Sequence, residues 1–276
     1  DDWWFAGHHG MAFSENGERD AARPMIERSL AQNPKNPWAA HAFAHLCYEA
    51  GDPHAARAFL AAWLPSYPRN GALCSHLYWH FALGHLEIGD AAAALRLFQE
   101  AFAPDVHSGP ARGKLNDGVS FLWRRELAGH PRDAEAWRIM HGLATDAFPH
   151  AGLAFSDMHI ALAHIVARDD AALAARAREV EALAHRGRYP SGPLVPAVSR
   201  GFAAFEQHDF SAAIDAFEPI AGGLERLGGS RAQLDLVEFT LLRAYLGASR
   251  HEDARRMLSV RGRGSSSVPV AGLPIG

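Results

Sequence analysis

His41, His45 and Glu49 stand four residues apart, and side chains at that spacing lie one above another on a single helical face. Imidazoles and carboxylates in such a row can hold a metal ion, bind a polar ligand or move protons. The stretch "CSHLYWHFALGHLEIGD" repeats the theme with His76, His80 and Glu87. Two histidines one helical turn apart can both reach one ion, so His41, His45, His76 and His80 are the candidate ligands of a divalent metal, the candidate cofactor. "HAFAH" lacks the Glu of a zinc-protease helix, and that mechanism gains no support. A metal-free alternative pairs His80 or His159 as general acid or base with Asp117, Asp157 or a Glu as the orienting carboxylate. The plainest alternative is a buried network in which these groups hydrogen-bond one another and fix helix register. With 17 histidines in the chain, some pairs at this spacing arise by chance, whereas two successive helices with matched pairs are harder to obtain that way.

The elements that must carry these residues recur. The turns "ENGERDAA" (15–22), "EAGDPHAA" (49–56) and "EIGDAAAA" (87–94) each follow an apolar helix and open a second one rich in Ala. Further turns at "AGHPRDAEAW", "ARDDAALAA", "EQHDFSAAIDAF" and "ASRHEDARRM" continue the series at intervals of roughly 34 to 41 residues, the range of helical repeats. Gly relieves the left-handed turn, Ala lets two helices approach, and a Pro such as Pro104 ends the second helix. The spacing predicts an all-α, right-handed tetratricopeptide-like superhelix of about seven helix pairs over residues 1–260, with no strand. Residues 261–276 form a low-complexity tail without helical period, expected to be disordered. Clusters of Gly, Pro and Ser predict longer loops at 103–113 and 185–193. The chain lacks an initiator Met and enters a helix almost at once, so a natural N-terminal segment is expected to be missing.

In repeats of this class, positions 2, 5, 6, 9, 12 and 13 face the concave groove when the turn Gly is position 15. Counting from Gly51, His41 is position 5, His45 is 9 and Glu49 is 13. Counting from Gly89, His76 is position 2, His80 is 6 and Glu87 is 13, and counting from Gly17, His8 is 6 and Glu15 is 13. Asn116, Asp117, Ser120, Asp157 and His159 join them on later helices. The candidate ligand-binding set is therefore His41, His45, Glu49, His76, His80, Glu87, Asp117, Asp157 and His159. Trp79 reads as core, and "WWFAGHH" reads as packing of the first helix.

Composition narrows the partners. Lys and Arg number 27 against 31 Asp and Glu, a formal charge of −4 with both signs interspersed, which gives no support to a nucleic-acid or anionic-membrane partner. Only Cys47 and Cys74 are present, and no apolar run spans a membrane, so a cytoplasmic setting is the expectation. No nucleophile elbow, phosphate loop or dinucleotide fingerprint is visible; "GGLERLGGS" lies between helices without a preceding strand.

The segments "NPKNPWAAHAFAHLCYEAGD", "CSHLYWHFALGHLEIGD", "LNDGVSFLWR", "FSDMHIALAH" and "RLGGSRAQLDLVEFTLLRA" together resemble the tetratricopeptide repeat protein 38 family, over nearly all of residues 1–260. The resemblance implies weight for His41, His45, Glu49, His76, Trp79, His80, Glu87, Asp117, Asp157 and His159, and for Gly228, Gly229, Ser230, Gln233 and Asp235. His8 and His9 fall outside its pattern, and it implies no particular activity. The function expected is recognition of a small molecule or peptide in a His- and carboxylate-lined groove. The alternatives are a metal- or His/Asp-dependent hydrolase or lyase using the same groove, and a protein-interaction adaptor.

Overall fold

Asp and Gly at the turns dictate where the helices start and stop. In the computed structural model, which describes residues 2–102, 109–261 and 268–273, the first helix of the second pair ends at Gly51, whose φ of 68° is a left-handed conformation that costs Gly nothing. The next residue, Asp52, then caps the following helix by accepting the Ala55 N–H at 2.9 Å. The same cap recurs at Asp90, Asp133, Asp169 and Asp209, each accepting the N–H three residues on. The left-handed turn residue recurs too: Gly17, Gly51, Gly89 and Gly129, then Arg168, His208 and Ser249. The last three hold φ between 56° and 60° without being Gly, which is why the later turns read less clearly from the sequence.

Fourteen α-helices follow among the described residues, and no strand. They pair as α1 (Trp3–Glu15) with α2 (Arg19–Gln32), α3 (Pro37–Ala50) with α4 (Pro53–Trp63), and α5 (Cys74–Glu87) with α6 (Ala91–Phe102). Next come α7 (Ala111–Leu127) with α8 (Ala134–Ala147), α9 (Ala154–Ala167) with α10 (Asp170–His185), α11 (Leu194–Glu206) with α12 (Phe210–Phe217), and α13 (Arg231–Gly247) with α14 (His251–Val260). The expected all-α fold of seven helix pairs is thus the one observed. No helix of the described residues is long and apolar enough to cross a membrane.

Two compact units divide the chain, the cut falling inside α7 after Asp117. In the first, α1 and α2 close tightly because Gly10 has no side chain; a Cβ there would sit 2.6 Å from Ile26 Cγ1. Ile26 joins Ala22, Ala42 and Leu46 in a core of small and branched residues, which lets α3 pack against this pair. In the second, aromatic rings fill the interior: Trp123, Phe202, Phe217 and Phe239 are fully buried. Gly201 admits the Phe217 ring, which a Cβ would meet at 2.5 Å.

Four first helices, α3, α5, α9 and α13, are buried on most of their faces, polar residues included. The loops hold a surprise and a correction. Tyr189, in the expected loop 185–193, is buried, and in the tail Val270 is buried while the Ala271 N–H donates to Leu127 O at 2.8 Å. The disorder expected of the tail therefore fails at residues 270–271, because an apolar Val and an open carbonyl gave the chain something to gain by docking. The rest of that expectation, at 262–267 and 274–276, and the loop over 103–108 lie outside the described residues.

Candidate functional site

Asn36 and Pro37 launch α3: the Asn36 side chain accepts the Trp38 N–H at 3.1 Å, and Pro fits the first helical turn. That start sets His41 and His45 on the face turned toward α5, which carries His76 and His80. The four rings converge. His41 Nε2 lies 2.9 Å from His76 Nε2 and also 2.9 Å from His45 Nε2. The His80 ring centroid is 4.5 Å from that of His45, 4.8 Å from His76 and 5.3 Å from His41. One ligand nitrogen from each of the four can be chosen so that all lie within 4.8 Å of one another. His45 and His80 are buried, while His41 and His76 are half-buried at the edge of the cluster.

Carboxylates stand behind two of the rings. Asp117, near the N-terminal end of α7, places Oδ2 2.9 Å from His76 Nδ1, and Glu15, the last residue of α1, places Oε1 3.1 Å from His45 Nδ1. A carboxylate only accepts, so Nδ1 of His76 carries the hydrogen and its Nε2 is left with its lone pair, and the negative charge of Glu15, close to His45 Nδ1 but outside hydrogen-bond geometry, favours the same tautomer there. Both lone pairs face His41 Nε2. A single nitrogen can donate its one hydrogen to only one of them, and without that hydrogen it can donate to neither. At least one of the two 2.9 Å approaches therefore has no hydrogen directed along it, and a cation placed among three Nε2 lone pairs would turn such contacts into attraction.

Two of the rings, His41 and His45, are also held in the neutral form a metal needs. Burial lowers the His41 pKa well below its ordinary value, and the neighbouring His45, His76 and His8 rings oppose a charge there as well. Burial likewise lowers His45, against the opposing pull of Glu15. Trp79, fully buried, lies flat against His76 with ring centroids 5.3 Å apart and fixes its plane. His8 is sandwiched between Trp4 and Trp38, at 4.2 and 5.4 Å, which gives a packing reason for a residue outside the resemblance. Neither cysteine joins the cluster in any role: both are free and buried, and burial pushes the Cys47 thiol up to about 12.

The remaining sequence candidates lie in different places. Glu49 and Glu87 are buried in the first unit, and the backbone carbonyl of Glu49 accepts from Arg19 at 2.7 Å. Asp157 and His159 belong to the second unit. Asp157 accepts from Arg176 Nη1 at 2.5 Å, from Tyr189 Oη at 2.7 Å and from the Gly152 N–H at 3.0 Å, which takes up three of its roughly four acceptor positions. None of these partners is an imidazole, and the expectation that Asp157 orients a catalytic histidine is corrected to a part in holding the buried Arg176. His159 donates from Nδ1 to the Phe155 carbonyl at 2.7 Å, one turn back on its own helix. The motif around residue 230 is structural as well: Ser230 starts α13 with its N–H held by Gln233 Oε1 at 3.0 Å, and a Cβ at Gly229 would meet the Phe155 ring at 2.5 Å. Asp235 is paired with Arg261.

Sequence reasoning gave Glu15 a groove position without a partner. Its role follows only when α1 is packed on α3, since residues 30 apart leave no local signal. Arg176 and Tyr189 were missed for the same reason.

Residues 14–77 match a family model described as tetratricopeptide repeat. The matched stretch contains Glu15, His41, His45 and His76, so most of the cluster is built on a recognised repeat. That match supports a role in protein interaction for the repeat array.

Proposed function

We propose that the first unit binds one divalent transition-metal ion through His41, His45, His76 and His80, with the repeat array as its scaffold. The observation that carries this reading is the close approach of His45 Nε2 and His76 Nε2 to His41 Nε2, each at 2.9 Å, with a carboxylate beside the far nitrogen of both rings. Carboxylate behind histidine behind metal is the arrangement by which proteins set the tautomer and raise the basicity of an imidazole ligand. At metal–nitrogen distances of about 2.0–2.1 Å, ligand nitrogens sit roughly 3.4 Å apart in a tetrahedron and about 3.0 Å apart at right angles in an octahedron. The two 2.9 Å separations call for a shift of only a few tenths of an ångström, and the other ligand atoms, all within 4.8 Å, close in further by side-chain rotation. Four neutral imidazoles favour zinc, copper, nickel or iron over calcium or magnesium, which prefer oxygen. Glu15 and Asp117 supply two negative charges that offset the ion's two positive ones.

Four imidazoles can close a tetrahedral shell, which would make the ion a staple across α3 and α5. An expanded shell would admit water at the half-buried His41–His76 edge and give a hydrolase or lyase its nucleophile. Elemental analysis of the untagged protein, beside a His41→Ala/His76→Ala variant of unchanged helicity, tests the proposal. The expected result is about one equivalent of metal retained by the wild type and lost in the variant. A wild type that takes up none from zinc, copper, nickel or iron solutions refutes it.

A second reading, favoured by the tetratricopeptide match, is an adaptor that engages a peptide or protein partner. The resemblance to the tetratricopeptide repeat protein 38 family fits either reading. Partner binding that persists in the His41→Ala/His76→Ala variant would separate the adaptor role from the metal.

A further inference from the structure

The second unit holds another group of candidate ligands, carried by residues outside the first cluster. His141 on α8, His164 on α9 and Asp169 at the start of α10 each offer a ligand atom, and these atoms lie within 4.8 Å of one another. His141 Nε2 is 3.2 Å from Asp169 Oδ2, and the His141 and His164 rings stand edge to face with centroids 5.3 Å apart. His164 is only 3% exposed, yet its Nδ1 meets no hydrogen-bond partner among the described residues. Buried polar atoms in folded proteins are nearly always satisfied, so an orphaned imidazole nitrogen beside two further ligand groups points to a missing partner.

The repeat supplies an internal comparison. In the first unit, His85 and Asp90 occupy the same places on α5 and α6 that His164 and Asp169 occupy on α9 and α10. There Asp90 caps its helix through Oδ1, its Oδ2 pairs with His85 Nδ1 at 3.3 Å, and Arg57 from the preceding helix lies close enough to oppose a charge on His85. In the second unit Asp169 caps its helix in the same way, but its Oδ2 is taken by His141, from the preceding helix, and His164 is left over. An arginine-flanked His–Asp pair has thus become two imidazoles and a carboxylate, with the charge of Arg176 nearby already met by Asp157.

We propose that His141, His164 and Asp169 form a second, independent site for a divalent transition metal. The 3.2 Å between His141 Nε2 and Asp169 Oδ2 is close to the edge of a coordination tetrahedron with bonds of about 2.0 Å, so these two need not move. Asp169 keeps Oδ1 on the Ala172 N–H, and Oδ2 turns from the His141 hydrogen to the ion, while His141 changes to the tautomer that presents a lone pair at Nε2. His141 and Asp169 are partly exposed, so the remaining coordination positions open to water. Two histidines and one carboxylate with open positions suit zinc used hydrolytically or ferrous iron.

The test is zinc titration, against a competing chromophoric chelator, of the full untagged chain carrying His41→Ala and His76→Ala, so that the first site is disabled. The expected result is about one equivalent bound, lost on adding His164→Ala and weakened at least about 100-fold by His141→Arg, which removes one ligand and puts a positive charge in its place. His85→Ala, a like change at the equivalent pair, should leave binding untouched. Helicity by circular dichroism is followed for each variant, and His141→Arg guards against a His164→Ala protein that does not fold. No zinc uptake by the first-site variant, or uptake that survives His141→Arg unchanged, overturns the second site and leaves the reading of the first one standing.

Discussion

Replacing Asp117 with Asn changes the charge behind His76 while keeping the shape. The Asn carbonyl still reaches the Nδ1 hydrogen across the 2.9 Å now spanned by Asp117 Oδ2, and both residues are largely buried, with side-chain exposures of 15% and 3%. Only the carboxylate's pull on that hydrogen is lost, so the basicity of Nε2 falls. Losing a partner of this kind costs metal sites about 10- to 100-fold in affinity. Zinc at about 100 times the wild-type Kd stabilises the folded chain by about 2.7 kcal/mol, and the same zinc stabilises a 10- to 100-fold weaker variant by about 1.4 to 0.4 kcal/mol. At roughly 2–4 °C per kcal/mol for a chain near this size, the metal-induced rise in Tm should shrink from roughly 5–10 °C to roughly 1–5 °C. Thermal scans of wild type and Asp117→Asn, with zinc and with a chelator, measure it directly. An undiminished zinc increment alongside a lower metal-free Tm would refute the reasoning and make Asp117 a structural partner of His76.

Asp157→Asn should behave differently. It strips the buried Arg176 of its anion, a change that costs about 3–5 kcal/mol, read as a lower denaturation midpoint; retention of full stability would return Asp157 to the list of functional carboxylates. Two glycines in helices should respond with opposite signs. Gly201→Ala drives a methyl to 2.5 Å from the Phe217 ring and should cost about 1–3 kcal/mol by urea denaturation. Gly142→Ala, on α8 with nothing within 4 Å, should gain about 0.5–1 kcal/mol, and a loss there would mean that α8 is packed more closely than described.

The fold was legible because its signals are local. Gly51-Asp52 and Gly89-Asp90 carry both the left-handed turn and the helix cap, so two adjacent residues announce a helix pair. Where Arg168, His208 and Ser249 take the left-handed position, only the Asp cap after Arg168 and His208 remains, and after Ser249 the next helix opens at Arg250 without a side-chain cap. The four-histidine row was legible for a similar reason, since spacing along α3 and α5 fixes which faces the rings share. What escaped was every partner that only packing supplies. Nothing near Glu15 in the sequence names His45, and nothing near Asp157 names Tyr189, a residue of an apparent surface loop that the fold turns inward. Asp157 drew attention as a carboxylate beside His159, but the buried Arg176 had the stronger claim on it.

The first cluster draws on four helices. α3 and α5 give the imidazoles, α1 gives Glu15 and α7 gives Asp117, so each carboxylate comes from a helix adjacent in the repeat order to one that carries a ring pair. A repeat array makes such a site sensitive to register, because a slip of one residue between neighbouring helices rotates a side chain by about 100° and removes it from the cluster. An ion held there would favour the one packing in which both carboxylates reach their rings, and its binding energy would appear as stability of α1 through α7 together. The second group has less reach: His141, His164 and Asp169 come from three consecutive helices and from a turn whose cap the repeat already builds. Metal at the first site should therefore protect amides across α1, α3, α5 and the start of α7 from hydrogen exchange, whereas metal at the second should protect only those near the α9–α10 turn and the facing part of α8. Protection confined to α3 and α5 on loading the first site would show that the carboxylates do not couple the outer helices to the ion.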